Sequence, residues 1–287
     1  LAKNLGKMKF VLIIFIAASG QMFAQSYRIS STAKKVVSFH LGTSFNRFSS
    51  STFLMKGNYF DVSFDKAQFG ALKDKWSVAQ YFSSPMKLGI GFNVRKNLQV
   101  MVGLDNFKYE LQPQVLTVSG SVYPSFDKVG GLSGTYSNTQ ISMDTIGFRA
   151  QMRNIRLISL QINRLVPLVH FKNHSFASVA TYGVEFGAIH SDYTLNFGSA
   201  FQETLSTLSG IGSAIQLGMR LEFFGRFYLL PSISGGLLMQ KNLRMNATEA
   251  SQKAQQNLWF GQASKTVIVR TFNGFCFPPG NLFYNRK

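Results

Sequence analysis

His190, Ser191 and Asp192 place an imidazole, a hydroxyl and a carboxylate on consecutive residues. These are the groups that nucleophilic acyl transfer or hydrolysis uses. Neighbouring residues of an extended chain point to opposite faces, so the three cannot form a relay with one another. A hydroxyl from another strand has to complete it, and Ser44 and Ser209 are the candidates. His170 and His174 stand four apart, but the stretch HFKNH holds no third ligand and reads as a turn, so no metal site is predicted. Gly89-Ile90-Gly91 has no helix after it and is not a phosphate loop. Cys276 is the only cysteine, which excludes an internal disulfide and a cysteine metal cluster. No cofactor is expected.

The elements that must position these groups are strands. From Ala214 to Phe223 the chain alternates strictly. Ile215, Leu217, Met219, Leu221 and Phe223 share one face; Ala214, Gln216, Gly218, Arg220 and Glu222 share the other. A period of two is a β-strand with one apolar and one polar side. A tight turn at Phe224-Gly225-Arg226 leads into a second strand, Phe227–Met239. Val37–Phe48, Met86–Arg95, Leu98–Tyr109, Asn154–Val166 and Phe176–His190 follow the same rule, and the last strand is expected within Gln255–Phe277. The alternation of Leu98–Tyr109 slips near Asn106, where a bulge is expected.

Connections sort into short ones at 96–97, 167–175 and 224–226 and long ones at 49–85, 110–153, 191–208 and 240–254. They alternate along the chain. Short turns on one side, long loops on the other and an even strand count are the pattern of bacterial outer-membrane barrels. The expected fold is therefore all-β: an up-and-down antiparallel transmembrane β-barrel of eight strands with long extracellular loops. Ten strands result if Phe53–Phe64 and Val115–Val122 both enter the wall. Phe53–Met55 and Tyr59–Phe64 read as strand extending beyond the membrane, and 240–254 as polar and partly helical.

The N-terminus fits an exported chain. Phe10–Ala18 is a short apolar run behind Lys3, Lys7 and Lys9, which reads as a signal peptide over 1–24, with Met8 as a possible start. The barrel is assigned to 25–277 and an atypical C-terminal tail to 278–287. The formal charge of +18 falls to +15 without those three lysines. For an exported chain this excludes nucleic acid as the expected partner. It suits outer-membrane lipid and lipopolysaccharide, a glycan or another envelope protein.

Short patches in order along the chain carry a family resemblance: FNRF at Phe45–Phe48, NYFDV at Asn58–Val62, GLDNFKYEL at Gly103–Leu111, SGTYSN at Ser133–Asn138, FFGRFY at Phe223–Tyr228 and ASQ at Ala250–Gln252. With these the chain resembles an uncharacterised group of outer-membrane β-barrels from Bacteroidota. The resemblance implies fold and location only, since no activity attaches to that group. Where the group tends to carry a His-Thr-Asp-Gly-like stretch closing the second loop, this chain has Phe148-Arg149-Ala150-Gln151-Met152.

In such a barrel His40, Gln99, Asp105, Gln161, Glu185, Gln216, Arg220 and Glu222 face the lumen. Lys87 and Arg47 join Asp105 and Glu185 towards the outer end. An eight-stranded lumen is just wide enough for side chains to fill, and charges inside it must pair, so a polar plug is expected. Tyr81, Phe82, Phe107, Tyr109, Tyr193, Phe197, Phe224 and Phe227 are expected in the interface girdles. Three functions compete: a structural or surface-interaction protein acting through its loops, a small channel for apolar or ionic solutes, and an enzyme on outer-leaflet lipid that uses His190.

Overall fold

The structure, a computed structural model, describes residues 37–72, 86–95, 97–124, 133–170, 176–197, 201–223, 227–245 and 251–270. Twelve strands form one antiparallel sheet: β1 Val37–Phe48, β2 Ser50–Gly57, β3 Phe60–Ala71, β4 Met86–Arg95, β5 Leu98–Leu111, β6 Val115–Val122, β7 Gly134–Ser142, β8 Arg149–His170, β9 Phe176–Phe197, β10 Phe201–Phe223, β11 Phe227–Arg244 and β12 Lys253–Arg270. Among the described residues one short helix, α1 (Met143–Ile146), ends at Gly147, whose φ of 58° is the left-handed conformation glycine favours. The expected leader and the tail after Phe277 lie outside the described residues.

Eight strands close a ring in the order β1-β4-β5-β8-β9-β10-β11-β12, with β12 paired back to β1 from Ser38↔Arg270 to Phe48↔Phe260. The wall therefore has eight strands and not ten. The extra segments build upwards. β2 continues alongside β12 through Lys253–Gln256, and β3 meets β5 at Phe69–Ala71. A second ring thus closes above the first, with β2 and β3 in the places of β1 and β4. β6 and β7 form a hairpin on β3.

Strand length explains the second ring. β9 and β10 have 22 and 23 residues, whereas about 9–11 suffice to cross a bilayer tilted. Much of the long excursions is strand, so β9 and β10 continue through most of 191–208 and β11 reaches Arg244.

Along β5 and β9 the side-chain phase holds while the polarity of the faces reverses. On β9 the outward residues are Tyr182, Val184, Phe186 and Ala188, then His190, Asp192, Thr194 and Asn196. Its inward residues are Thr181, Gly183, Glu185 and Gly187, then Ile189, Ser191, Tyr193, Leu195 and Phe197. On β5, Gln99, Met101, Gly103 and Asp105 point inward and are followed by Phe107, Tyr109 and Leu111. The lower storey is apolar outside and polar inside, and the upper storey is the reverse. Apolar surface is buried wherever water lies outside, and faces out only where the surroundings are themselves apolar.

This reversal corrects two expectations. β5 does not slip at Asn106; what changes there is the polarity of each face. Phe107, Tyr109, Tyr193 and Phe197 are fully or almost fully buried and point inward, so they belong to no interface girdle. Of the other expected girdle residues, Phe227 is half-buried, and Tyr81, Phe82 and Phe224 lie outside the described residues. The inward aromatics fill the upper storey. Phe64 stacks on Phe148 at 4.4 Å, and Phe107 meets Phe260 edge-on at 4.9 Å.

Candidate functional site

Three polar sites stand out: the lumen of the lower storey, a buried network in the upper core, and a cluster on the outer wall where the storeys meet.

His40, Gln99, Asp105, Gln161, Glu185, Gln216, Arg220 and Glu222 all point inward and are buried. Lys87 stands at the centre. Its Nζ is 3.0 Å from Asp105 Oδ2, 3.2 Å from Gln216 Oε1 and 3.9 Å from Glu185 Oε2. Ser159 Oγ donates to Glu185 Oε1 at 2.5 Å. Lower down, Arg220 Nε donates to Glu222 Oε1 at 2.9 Å, and the guanidinium lies 5.0 Å over the Tyr228 ring. Gln99 Nε2 bonds Ser38 Oγ at 3.1 Å and Asn93 Oδ1 at 3.3 Å, and Ser38 Oγ lies 3.0 Å from His40 Nε2. Inward glycines make room for these side chains: a Cβ added at Gly103 would stand 2.8 Å from Gln161 Nε2.

The space left between His40, Lys87, Gln99, Gln216 and Arg220 is about 10 Å³, room for about one water. Arg47 departs from its expected place, because it is exposed on the outer wall at odd phase with Phe39 and Phe45. Sequence reasoning missed Ser38, Asn93, Ser159 and Asn163, whose inward phase was the available signal.

The second network was not foreseen. Tyr109 Oη donates to Gln240 Oε1 at 2.6 Å and lies 3.2 Å from Gln256 Oε1. Gln240 Nε2 donates to Ser191 Oγ at 2.9 Å, Ser191 meets Ser209 at 2.7 Å, and Gln256 Nε2 donates to Ser51 Oγ at 3.0 Å. Burial pushes the Tyr109 phenol up from its ordinary pKa, so it stays a neutral donor. The network ties β2, β5, β9, β10, β11 and β12 together inside an apolar core. Tyr109→Phe orphans Gln240 Oε1, and a buried unsatisfied acceptor costs about 1–3 kcal/mol. Chemical unfolding of the folded barrel should register that loss.

On the outer wall, Asp192 gathers the third site. Its Oδ2 accepts from Asn154 Nδ2 at 3.0 Å and Arg156 Nη2 at 3.1 Å, and its Oδ1 accepts from Ser206 Oγ at 2.6 Å. His190 Nε2 lies 3.3 Å from Ser206 Oγ, and its Nδ1 is 3.9 Å from Asp192 Oδ1. The hydroxyl beside His190 is thus Ser206, and neither Ser44 nor Ser209; Ser209 pairs with Ser191 inside. A hydrolytic relay needs the imidazole between hydroxyl and carboxylate. Here Ser206 donates directly to Asp192, so the cluster is a hydrogen-bonded clasp joining β8, β9 and β10.

Partial burial pushes the Asp192 carboxyl up. The bonds from Ser206 and Asn154, with the Arg156 and His190 charges, outweigh that and hold it below the ordinary aspartate value. A depressed carboxyl stabilises the fold above its unfolded pKa and loses that contribution as pH falls through the folded one. The stability difference between the unaltered protein and Asp192→Asn should therefore shrink on acidification below about pH 4. Unfolding midpoints measured across a pH series check this.

Among the described residues no group of three or more His, Cys, Asp or Glu is placed to hold a metal ion.

Comparison with known proteins adds little. No family model matches the chain. No curated protein matches it in sequence. Among solved structures it is similar to outer membrane protein OprG from Pseudomonas aeruginosa, at 10% identity and a TM-score of 0.36, over 83% of this chain and 98% of that one. It is also similar to outer membrane protein AlkL, at 8% identity and 0.34, over 86% and 97%. Ail, the attachment invasion locus protein of Yersinia pestis, aligns at 8% identity and 0.29, over 82% and 99%. Superpositions this loose carry no argument, and the architecture rests on the closed ring itself: the chain is an eight-stranded antiparallel β-barrel with an apolar outer wall, a polar lumen and an upper storey of reversed polarity.

Proposed function

We propose that this protein is an outer-membrane barrel with a non-enzymatic, structural or surface-interaction role, and that its upper storey is a rigid platform standing outside the lipid. The carrying observation is the filling of both storeys. The lower lumen is occupied by paired side chains around Lys87, with space for about one water. The upper storey is packed with apolar side chains, thirty of them buried in one cluster. A barrel closed at both levels offers its outer wall and its rim. Polar strand extensions such as Thr135–Ser142 on β7 then meet lipopolysaccharide, glycan or an envelope protein.

The heat-modifiability of the extracted protein on a detergent gel tests the membrane reading. A folded band that shifts on boiling supports it, and a water-soluble protein with no shift overturns it. Planar-bilayer recording tests the plug. The expected result is no steady conductance, because among the described residues paired side chains fill the lower lumen around Lys87. A stable open current would instead favour the small-channel reading.

A further inference from the structure

The outer wall of β8, with Lys108 on the neighbouring β5, carries cations around the level where the storeys meet, and a backbone irregularity helps place them there. On β8, Met152 and Ile155 both point inward although they are three residues apart. The register against β5 and β9 shifts at this point. An unbulged strand in the phase of the lower storey would turn Arg149 and Arg153 into the apolar core. The extra residue sends both outward, and Arg153 is exposed. Arg156 also faces out, with its side chain 42% exposed. Lys108 stands on the neighbouring strand β5.

What lies below them gives the patch a direction. On the same strand, Ile158, Leu160 and Ile162 continue the outward apolar wall. An amphipathic molecule lying against this face would meet apolar wall first and guanidinium groups next, the order of a bilayer lipid from chain to headgroup. Asp192 holds Arg156 through one nitrogen, backed by Asn154 on the same carboxylate oxygen. A guanidinium has five N–H donors in a rigid fork, so the remaining edge can face a second anion.

We propose that Arg153 and Arg156 bind the phosphate of an anionic outer-leaflet lipid whose acyl chains run along Ile158–Ile162. Asp192 is the positioning residue that fixes the Arg156 fork. This rests on the outer-membrane reading above and names the lipid class and the face that takes it. Charge complementarity favours a lipid phosphate, since the chain carries a formal charge of +18, or +15 without Lys3, Lys7 and Lys9.

The test uses the full chain folded in detergent micelles and in vesicles, with diphosphorylated lipid A and its dephosphorylated form as probes and native mass spectrometry as readout. The unaltered protein is expected to retain the phosphorylated form preferentially. Arg153→Gln with Arg156→Gln should lower that retention by about tenfold or more, since charge-assisted hydrogen bonds to the phosphate are lost. Binding of the dephosphorylated form should not change. Asp192→Asn should weaken the preference while the folded band persists.

Equal retention of both lipid forms, or an unaffected double variant, overturns the site and leaves the barrel reading standing. Displacement by an equivalent charge of soluble dextran sulfate overturns the lipid as occupant. Failure of the unaltered chain to insert into vesicles overturns the membrane reading itself, and the site with it.

Discussion

Replacing Lys87 with Met is expected to cost about 3–5 kcal/mol of folding stability, because breaking a buried ion pair leaves uncompensated charge behind. Lys87 is the buried cation facing two buried carboxylates, Asp105 and Glu185, from 3.0 and 3.9 Å. Methionine fills a similar volume and supplies no charge. Adding Asp105→Asn should recover part of the loss, since only Glu185 then keeps an unmatched charge at this height. Urea unfolding of the vesicle-inserted protein, followed by the gel shift, measures both variants. A Lys87→Met protein as stable as its parent would mean that the lumen is wet enough to solvate both carboxylates.

A second large effect belongs to the wall. Val184 sits midway along the outward apolar run of β9 and is 50% exposed. Val184→Arg is expected to cost about 2–4 kcal/mol, the penalty for a cation on a barrel's lipid face near mid-depth. Thr194→Arg, on the same face of the same strand, should change stability by no more than about 0.5 kcal/mol, as surface substitutions in water do. The contrast within one strand separates a membrane barrel from a soluble one, in which the two positions would respond alike. The same unfolding assay reads both.

Most of the lower storey was legible in the sequence because the two-residue period is local. Ile215, Leu217 and Met219 against Gln216, Gly218 and Arg220 define their faces without help from the rest of the chain. The eight-strand count followed from the spacing of turns. The upper storey was harder to read because there the same period persists with its sign reversed. At Asn106 a polar residue falls in the outward series and the apolar Phe107 in the inward one, and from His190 the outward series turns polar while Tyr193 and Leu195 face inward. Read against a single rule, apolar out and polar in, that looks like a slipped strand or the start of a loop. A second rule, valid where the wall leaves the lipid, was needed to keep β5 and β9 continuous and to send Phe107, Tyr109, Tyr193 and Phe197 inside.

The lumenal residues were readable one strand at a time, but their partners were not. Which carboxylates meet Lys87 depends on how eight tilted strands are staggered around the ring, and no strand carries that by itself. His190 shows the same limit. Its chemistry was visible in the triplet with Ser191 and Asp192, yet its neighbour Ser206 comes from the adjacent strand by register. Asp192 returns to it two residues along the same face. The Met152–Ile155 bulge was invisible to periodicity, because an extra residue in a strand reads as irregular alternation and nothing more.

The reversal of polarity along single strands is the central claim, and environment mapping along β9 tests it most directly. Cys276→Ser removes the native thiol, and nitroxide labels are then placed singly at Val184, Phe186, Thr194 and Asn196 in the vesicle-inserted protein. All four share the outward phase. The labels at 184 and 186 are expected to be reached by dissolved oxygen and shielded from a water-soluble nickel chelate, and those at 194 and 196 to show the opposite. Chelate access at all four positions would contradict the account, since the apolar wall would then face water and the barrel would not span a membrane in this register.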